Sequence, residues 1–158
     1  HPERIDHEYE RNGVADIFVF VEPLAGKRRI EVTATRKSVD WAQQVKTVLD
    51  VDYPNAEKVI LVMDNLNTHC VASLYATFPP QEAKRLADRL EIHYTPKHGS
   101  WLNIAEIELS ALSKQCLSRR IPDMQTMRKE VSAWTNERNQ EQKTINWQFT
   151  TGDARIKL

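Results

Sequence analysis

Five consecutive apolar residues, Val59-Ile60-Leu61-Val62-Met63, run directly into an aspartate, Asp64. A run this short, rich in branched residues, predicts a strand. Apolar at every position, it reads as a central strand covered on both faces. The polar stretch that follows, Asn65-Leu66-Asn67-Thr68-His69, leads into a helix that Asn67 or Thr68 can cap and that runs to about Phe78. A carboxylate at the C-terminal end of a central strand sits where open α/β sheets hold their ligands. It is equally well placed to cap the turn.

The flanking sequence extends this into a mixed α/β order. Asp16–Val21 is β-branched and aromatic, and from Arg28 to Thr35 apolar residues alternate with polar ones. The pair predicts an antiparallel hairpin. Ser38 to Leu49 predicts an amphipathic helix through Trp41, Val45 and Val48. Pro79-Pro80 ends the helix after Asp64, and Gln81–Leu90 predicts another, with Ala83, Leu86 and Leu90 inward. Glu91–Thr95 predicts a short strand. Two helices follow: Trp101–Leu117, capped by Ser100, and one marked by Met124, Met127, Val131 and Trp134. Residues 1–13 read as an irregular entry and 139–158 as a polar C-terminal tail, so the chain is expected to form a single domain. It opens at His1 rather than methionine, which reads as a piece of a longer or processed protein.

Composition limits the partners. Lys plus Arg and Asp plus Glu number 22 each, so net charge lends no support to nucleic-acid binding. Only local clusters, Lys27-Arg28-Arg29 and Lys114 with Arg119 and Arg120, can meet a DNA backbone or simply face water. Cys70 and Cys116 are isolated, which fits a reducing cytoplasm and excludes a zinc motif. No apolar run is long enough for a membrane span.

A second carboxylate must come from the helix after Trp101, where Glu106 and Glu108 compete. At about 100° per residue they lie on opposite flanks of the apolar stripe, and periodicity does not choose between them. One should border the core and the other solvent. Two carboxylates brought together repel unless a cation lies between them. Mg²⁺ suits the role, because it binds through one or two carboxylates, waters and phosphate oxygens. Such ions support phosphodiester transfer.

Two blocks carry a resemblance: Met63-Asp64-Asn65-Leu66-Asn67-Thr68-His69 and Thr95-Pro96-Lys97-His98-Gly99-Ser100-Trp101-Leu102-Asn103-Ile104-Ala105-Glu106. They resemble the second and third signature blocks of DDE transposases of the mariner superfamily and its bacterial insertion-sequence relatives. The resemblance implies a ribonuclease-H-like mixed sheet with flanking helices, here lacking its first strand. It implies that Asp64 and Glu106 bind Mg²⁺ (or Mn²⁺), and it selects Glu106 through the Leu-Asn-x-x-Glu pattern. It implies cleavage of transposon ends, strand transfer to target DNA, a nucleoid-associated location and a homodimer. The family's first aspartate has no counterpart, since neither Asp6 nor Asp16 follows an apolar strand. The fragment is therefore expected to be weak or inactive alone. The alternative is a non-catalytic DNA-binding or dimerisation module. Asn65 and His69 are candidates for shaping the site, Lys97, His98 and Ser100 for touching phosphate, and Asn103 for orienting the glutamate.

Overall fold

The computed structural model describes residues 13–96, 103–146 and 152. β1 (Asp16–Glu22) and β2 (Lys27–Thr33) form the expected antiparallel hairpin, with Glu22 opposite Lys27 and Asp16 opposite Thr33. Gly26 closes its turn at φ +62°, and a Cβ there would fall 2.5 Å from the carbonyl oxygen of Gln142. Only glycine meets both demands.

Helix α1 (Ser38–Thr47) starts where Asp40 reaches back to the Lys37 backbone N–H (2.8 Å). It buries Trp41, Ala42 and Val45 and passes into a π-helical turn at Val48–Asp52. Strand β3 (Val59–Met63) pairs in parallel with β4 (Leu90–Tyr94), Val59 facing Leu90 and Met63 facing Tyr94. Between them lie α2 (Val71–Thr77), with Cys70 rather than Asn67 or Thr68 at its N-cap position, and α3 (Pro80–Asp88), with a proline in its first turn. Leu90 is the first residue of β4, not the last of the helix. The chain ends its described course with α4 (Ala105–Gln115) and α5 (Met124–Gln140), the latter capped by Asp123, which accepts from the Thr126 N–H at 2.8 Å.

Two apolar clusters organise these elements. The first joins Phe18 of β1 and Met63 of β3 to Trp41, Leu49, Leu74 and Leu86, so α1, α2 and α3 cover one face of both strand pairs. The second packs Leu112 of α4, Cys116 just past its end, and Val131 and Trp134 of α5 against Val32 of β2. The helices of this second layer contact the hairpin, α5 on β2 and α4 on β1.

The architecture is the mixed α/β one expected, but β3 is not covered on both faces. Its burial alternates: Met63 is buried, whereas Ile60 and Val62 are 64% and 56% exposed. Most of the packing of α4 and α5 is on the hairpin. Among the described residues the strands form two separate pairs rather than five in one sheet.

The competition between Glu106 and Glu108 is resolved by burial. Glu108 is fully buried between two guanidinium groups, Arg28 Nε at 3.3 Å and Arg138 Nη2 at 2.8 Å. Asn139 fixes Arg28 by exchanging two 2.8 Å hydrogen bonds with its backbone. Burial lowers the pKa of Arg28 and the adjacent Glu108 opposes this. The Lys27-Arg28-Arg29 cluster thus does not act as a free basic patch. Arg28 is internal, Arg29 pairs with Asp52 at 3.3 Å, and Lys27 lies over the Tyr53 ring.

Candidate active site

Asp64 follows β3 directly, and its strand is fixed to the very end by the Thr95 N–H, which donates to the Met63 carbonyl at 2.9 Å. Its side chain remains half exposed, with one oxygen 3.3 Å from His69 Nδ1. A carboxylate only accepts, so Nδ1 carries the proton and donates. Burial lowers the pKa of His69, against the opposing pull of Asp64. Burial thus disfavours the charged imidazolium beside Asp64. The ring is held from both sides: it stacks on Trp41 at 6.0 Å and 19° and meets Phe18 at 6.0 Å. The Tyr94 hydroxyl donates to the His69 carbonyl at 3.0 Å. His69 thus orients Asp64 from within the apolar core and leaves its other carboxylate oxygen to the solvent side.

Glu106 lies in the first turn of α4 and is exposed. The helix begins where Asn103 Oδ1 accepts from the Ala105 N–H at 3.1 Å. Asn103 thus holds the turn that leads into the helix carrying Glu106, whose N-cap position is Ile104. The helix expected over Trp101–Leu117 is shorter, because Asn103 and Ile104 form a turn before Ala105 and the helix ends at Gln115; Lys97, His98 and Ser100 lie outside the described residues.

Asp64 and Glu106 both line one cavity of about 610 Å³, although residues 65 to 105 separate them in sequence. His69 and Asn103 line the same cavity. Asn65 is exposed and lies outside this lining. The walls are β1 and β3, and Trp41, Ala105 and Leu109 contribute from the helices. The sequence signalled neither Tyr94 nor Trp41 as a support of His69, because both are read there as ordinary strand and core residues.

In kind, Asp64 and Glu106, with the Asn103 amide on the same lining, fit a hard divalent cation; Glu22 and Asp52 also line the cavity but are engaged by Tyr53 and Arg29. In number the donor set is small: among the described residues no three His, Cys, Asp or Glu side chains group closely enough to hold a metal ion.

An α/β fold with a strand-end carboxylate and a helix carboxylate on one cleft defines a class of protein before it defines a member. Residues 1–128 match the family described as DDE superfamily endonuclease, and the chain belongs to that family. The match contains both signature blocks and every element through the first turn of α5. No match was found among curated proteins or among solved structures. None of the described helices is long and apolar enough to cross a membrane.

Proposed function

We propose that the chain carries the nuclease site of a DNA transposase, with Asp64 and Glu106 holding a divalent cation, Mg²⁺ or Mn²⁺, at the cleft. The observation that supports this is their convergence on one cavity across a long separation in sequence, beside His69 and Asn103. A cation held there would activate the attacking hydroxyl and stabilise the leaving oxygen during DNA strand cleavage and strand transfer. His69 holds Asp64 in one rotamer through its Nδ1–H. Asn103 bonds the first N–H of the helix that presents Glu106 and so steadies its entry turn. The apolar walls from Trp41 and Leu109 limit water at the back of the cleft.

Phosphodiester chemistry of this kind is best served by a further carboxylate beside Asp64 and Glu106, and the other two that line the cavity, Glu22 and Asp52, are engaged by Tyr53 and Arg29. These 158 residues alone accordingly cleave DNA weakly or not at all. The test is a strand-cleavage assay on labelled duplex DNA carrying element ends, with Mg²⁺ or Mn²⁺ titrated. Weak or absent cleavage by the chain alone is expected, and any activity present should vanish in Asp64→Ala and Glu106→Ala. Strong cleavage that survives both substitutions would make the site assignment wrong.

A further inference from the structure

The outer edges of β2 and β4, which face away from β1 and β3, are treated differently by the rest of the chain. On β2, side chains of α5 occupy the backbone. Asn139 exchanges two 2.8 Å hydrogen bonds with the N–H and C=O of Arg28, and Arg128 Nε donates to the Val32 carbonyl at 3.0 Å. An edge covered in this way is closed to another strand. β4 has β3 on one side, and among the described residues no element runs along its other side.

The backbone groups that β4 presents there follow from its pairing. The Val59 N–H donates to the Arg89 carbonyl (2.8 Å), and the Thr95 N–H donates to the Met63 carbonyl (2.9 Å). Alternate residues of a strand bond the same neighbour, so Arg89, Glu91, His93 and Thr95 turn toward β3. Leu90, Ile92 and Tyr94 turn their N–H and C=O groups outward, where they have no described backbone partner. The side chains add a second constraint. Leu90 and Ile92 pack against the first apolar cluster. Glu91 and His93 stand on the opposite face, 47% and 57% exposed and 2.8 Å apart. The strand Leu-Glu-Ile-His-Tyr thus has an acid and a base placed symmetrically about Ile92. A two-fold axis through Ile92 sets Glu91 opposite the second copy's His93, and His93 opposite its Glu91. The neighbouring two-fold registers, centred on Glu91 or on His93, set like groups opposite each other.

We propose that the outer edge of β4 is a self-complementary interface, at which a second copy of this chain pairs antiparallel about Ile92 and the two β3–β4 pairs join into one sheet. Ile92 bonds Ile92 across the axis, and Leu90 bonds Tyr94 on either side of it. These are hydrogen-bonded positions, in which the two residues exchange both backbone bonds. Glu91 and His93 fall at the positions between them, where opposed side chains come closest and an acid meets an imidazole. The contact uses the same patch on both copies and closes at two. A five-residue edge buries little surface, so the association is weak and reversible. The interface follows from β4 and stands apart from the cation site and from any action on DNA.

Sedimentation equilibrium in metal-free buffer, at protein concentrations up to about 0.5 mM, should show a reversible monomer–dimer equilibrium. His93→Glu sets acid opposite acid and should raise the dissociation constant at least tenfold. Exchanging the two side chains, as Glu91→His with His93→Glu, keeps the strand self-complementary and should restore the dimer. Both positions are exposed, so these variants keep the fold. Hydrogen exchange on the unaltered chain locates the contact: the amides of Ile92 and Tyr94 should exchange more slowly as concentration rises, and those of Arg28 and Ile30 on the covered edge should not change. A monomer at every concentration overturns the proposal. So does a dimer that His93→Glu leaves intact, or a double exchange that associates no better than His93→Glu. Protection of Ile92 that is the same at all concentrations also overturns it, because a segment of the same chain would then be the occupant.

Discussion

Replacing Glu108 by glutamine tests the division of labour between the two neighbouring glutamates of α4. Glu108 and Arg28 have fully buried side chains, and Arg138 closes the triad with a side chain 17% exposed. Glutamine retains the shape and an acceptor but removes the charge, which leaves two guanidinium groups facing each other across a buried site. Breaking one partner of a buried ion pair costs about 3–5 kcal/mol. Against a total stability of about 5–15 kcal/mol this is a large fraction. For a chain of this size the melting temperature should drop by roughly 6–20 °C. Urea unfolding, followed by circular dichroism, should show a lower midpoint with an unchanged slope. Glu106→Gln, on an exposed position of the same helix, should change stability by less than about 0.5 kcal/mol. Removing both charges together, as Arg28→Met with Glu108→Leu, should recover much of the loss, since apolar replacement of a buried pair is often neutral. If Glu108→Gln were as silent as Glu106→Gln, the assignment of Glu108 to the core and Glu106 to the cleft would be refuted.

Two further outcomes follow from the fold. Gly26→Ala should destabilise by about 1 kcal/mol or more, because the new Cβ meets the Gln142 carbonyl and the backbone is at positive φ; a melting temperature equal to that of the unaltered chain would contradict this. Asp50 and Glu82 are both held at about 2, chiefly by hydrogen bonds from Arg85, with Lys46 assisting. Their folded values lie below their unfolded ones of about 4, so their contribution is complete above about pH 4.5 and disappears as pH falls toward 2. Melting curves between pH 2 and 6 should therefore be flatter for Arg85→Ala than for the unaltered chain, and parallel curves would show that the ion pairs add nothing.

Much of this was legible in the amino-acid order, because the signals were local. The hairpin, α1 and the helix from Met124 follow from two kinds of periodicity, and the Val59–Met63 run is a strand as read. What failed depends on neighbours. Uniformly apolar β3 gives no hint that Ile60 and Val62 stand exposed, since that depends on what packs against the strand. Arg28 looked like part of a surface cluster, yet it shares the inward face of β2 with Ile30 and Val32, and only the distant Glu108 and Asn139 make its burial tolerable. Glu106 and Glu108 were symmetric about their stripe, and the choice required knowing which flank met the hairpin. Asp64 was visible as a strand-end acid, but its bracing by His69, Trp41 and Tyr94 is assembled from three separate elements. Lys97, His98 and Ser100 lie outside the described residues.

The central claim is that Asp64 and Glu106 act as one cation site at the end of β3. It is tested most directly by the melting temperature of the chain as Mn²⁺ is titrated, since an ion that binds the folded state must raise it. A saturable rise is expected for the unaltered chain, lost in Asp64→Asn and in Glu106→Gln and kept in Glu91→Gln, which alters a carboxylate elsewhere. No rise at all, or an equal rise in all four proteins, would contradict the site.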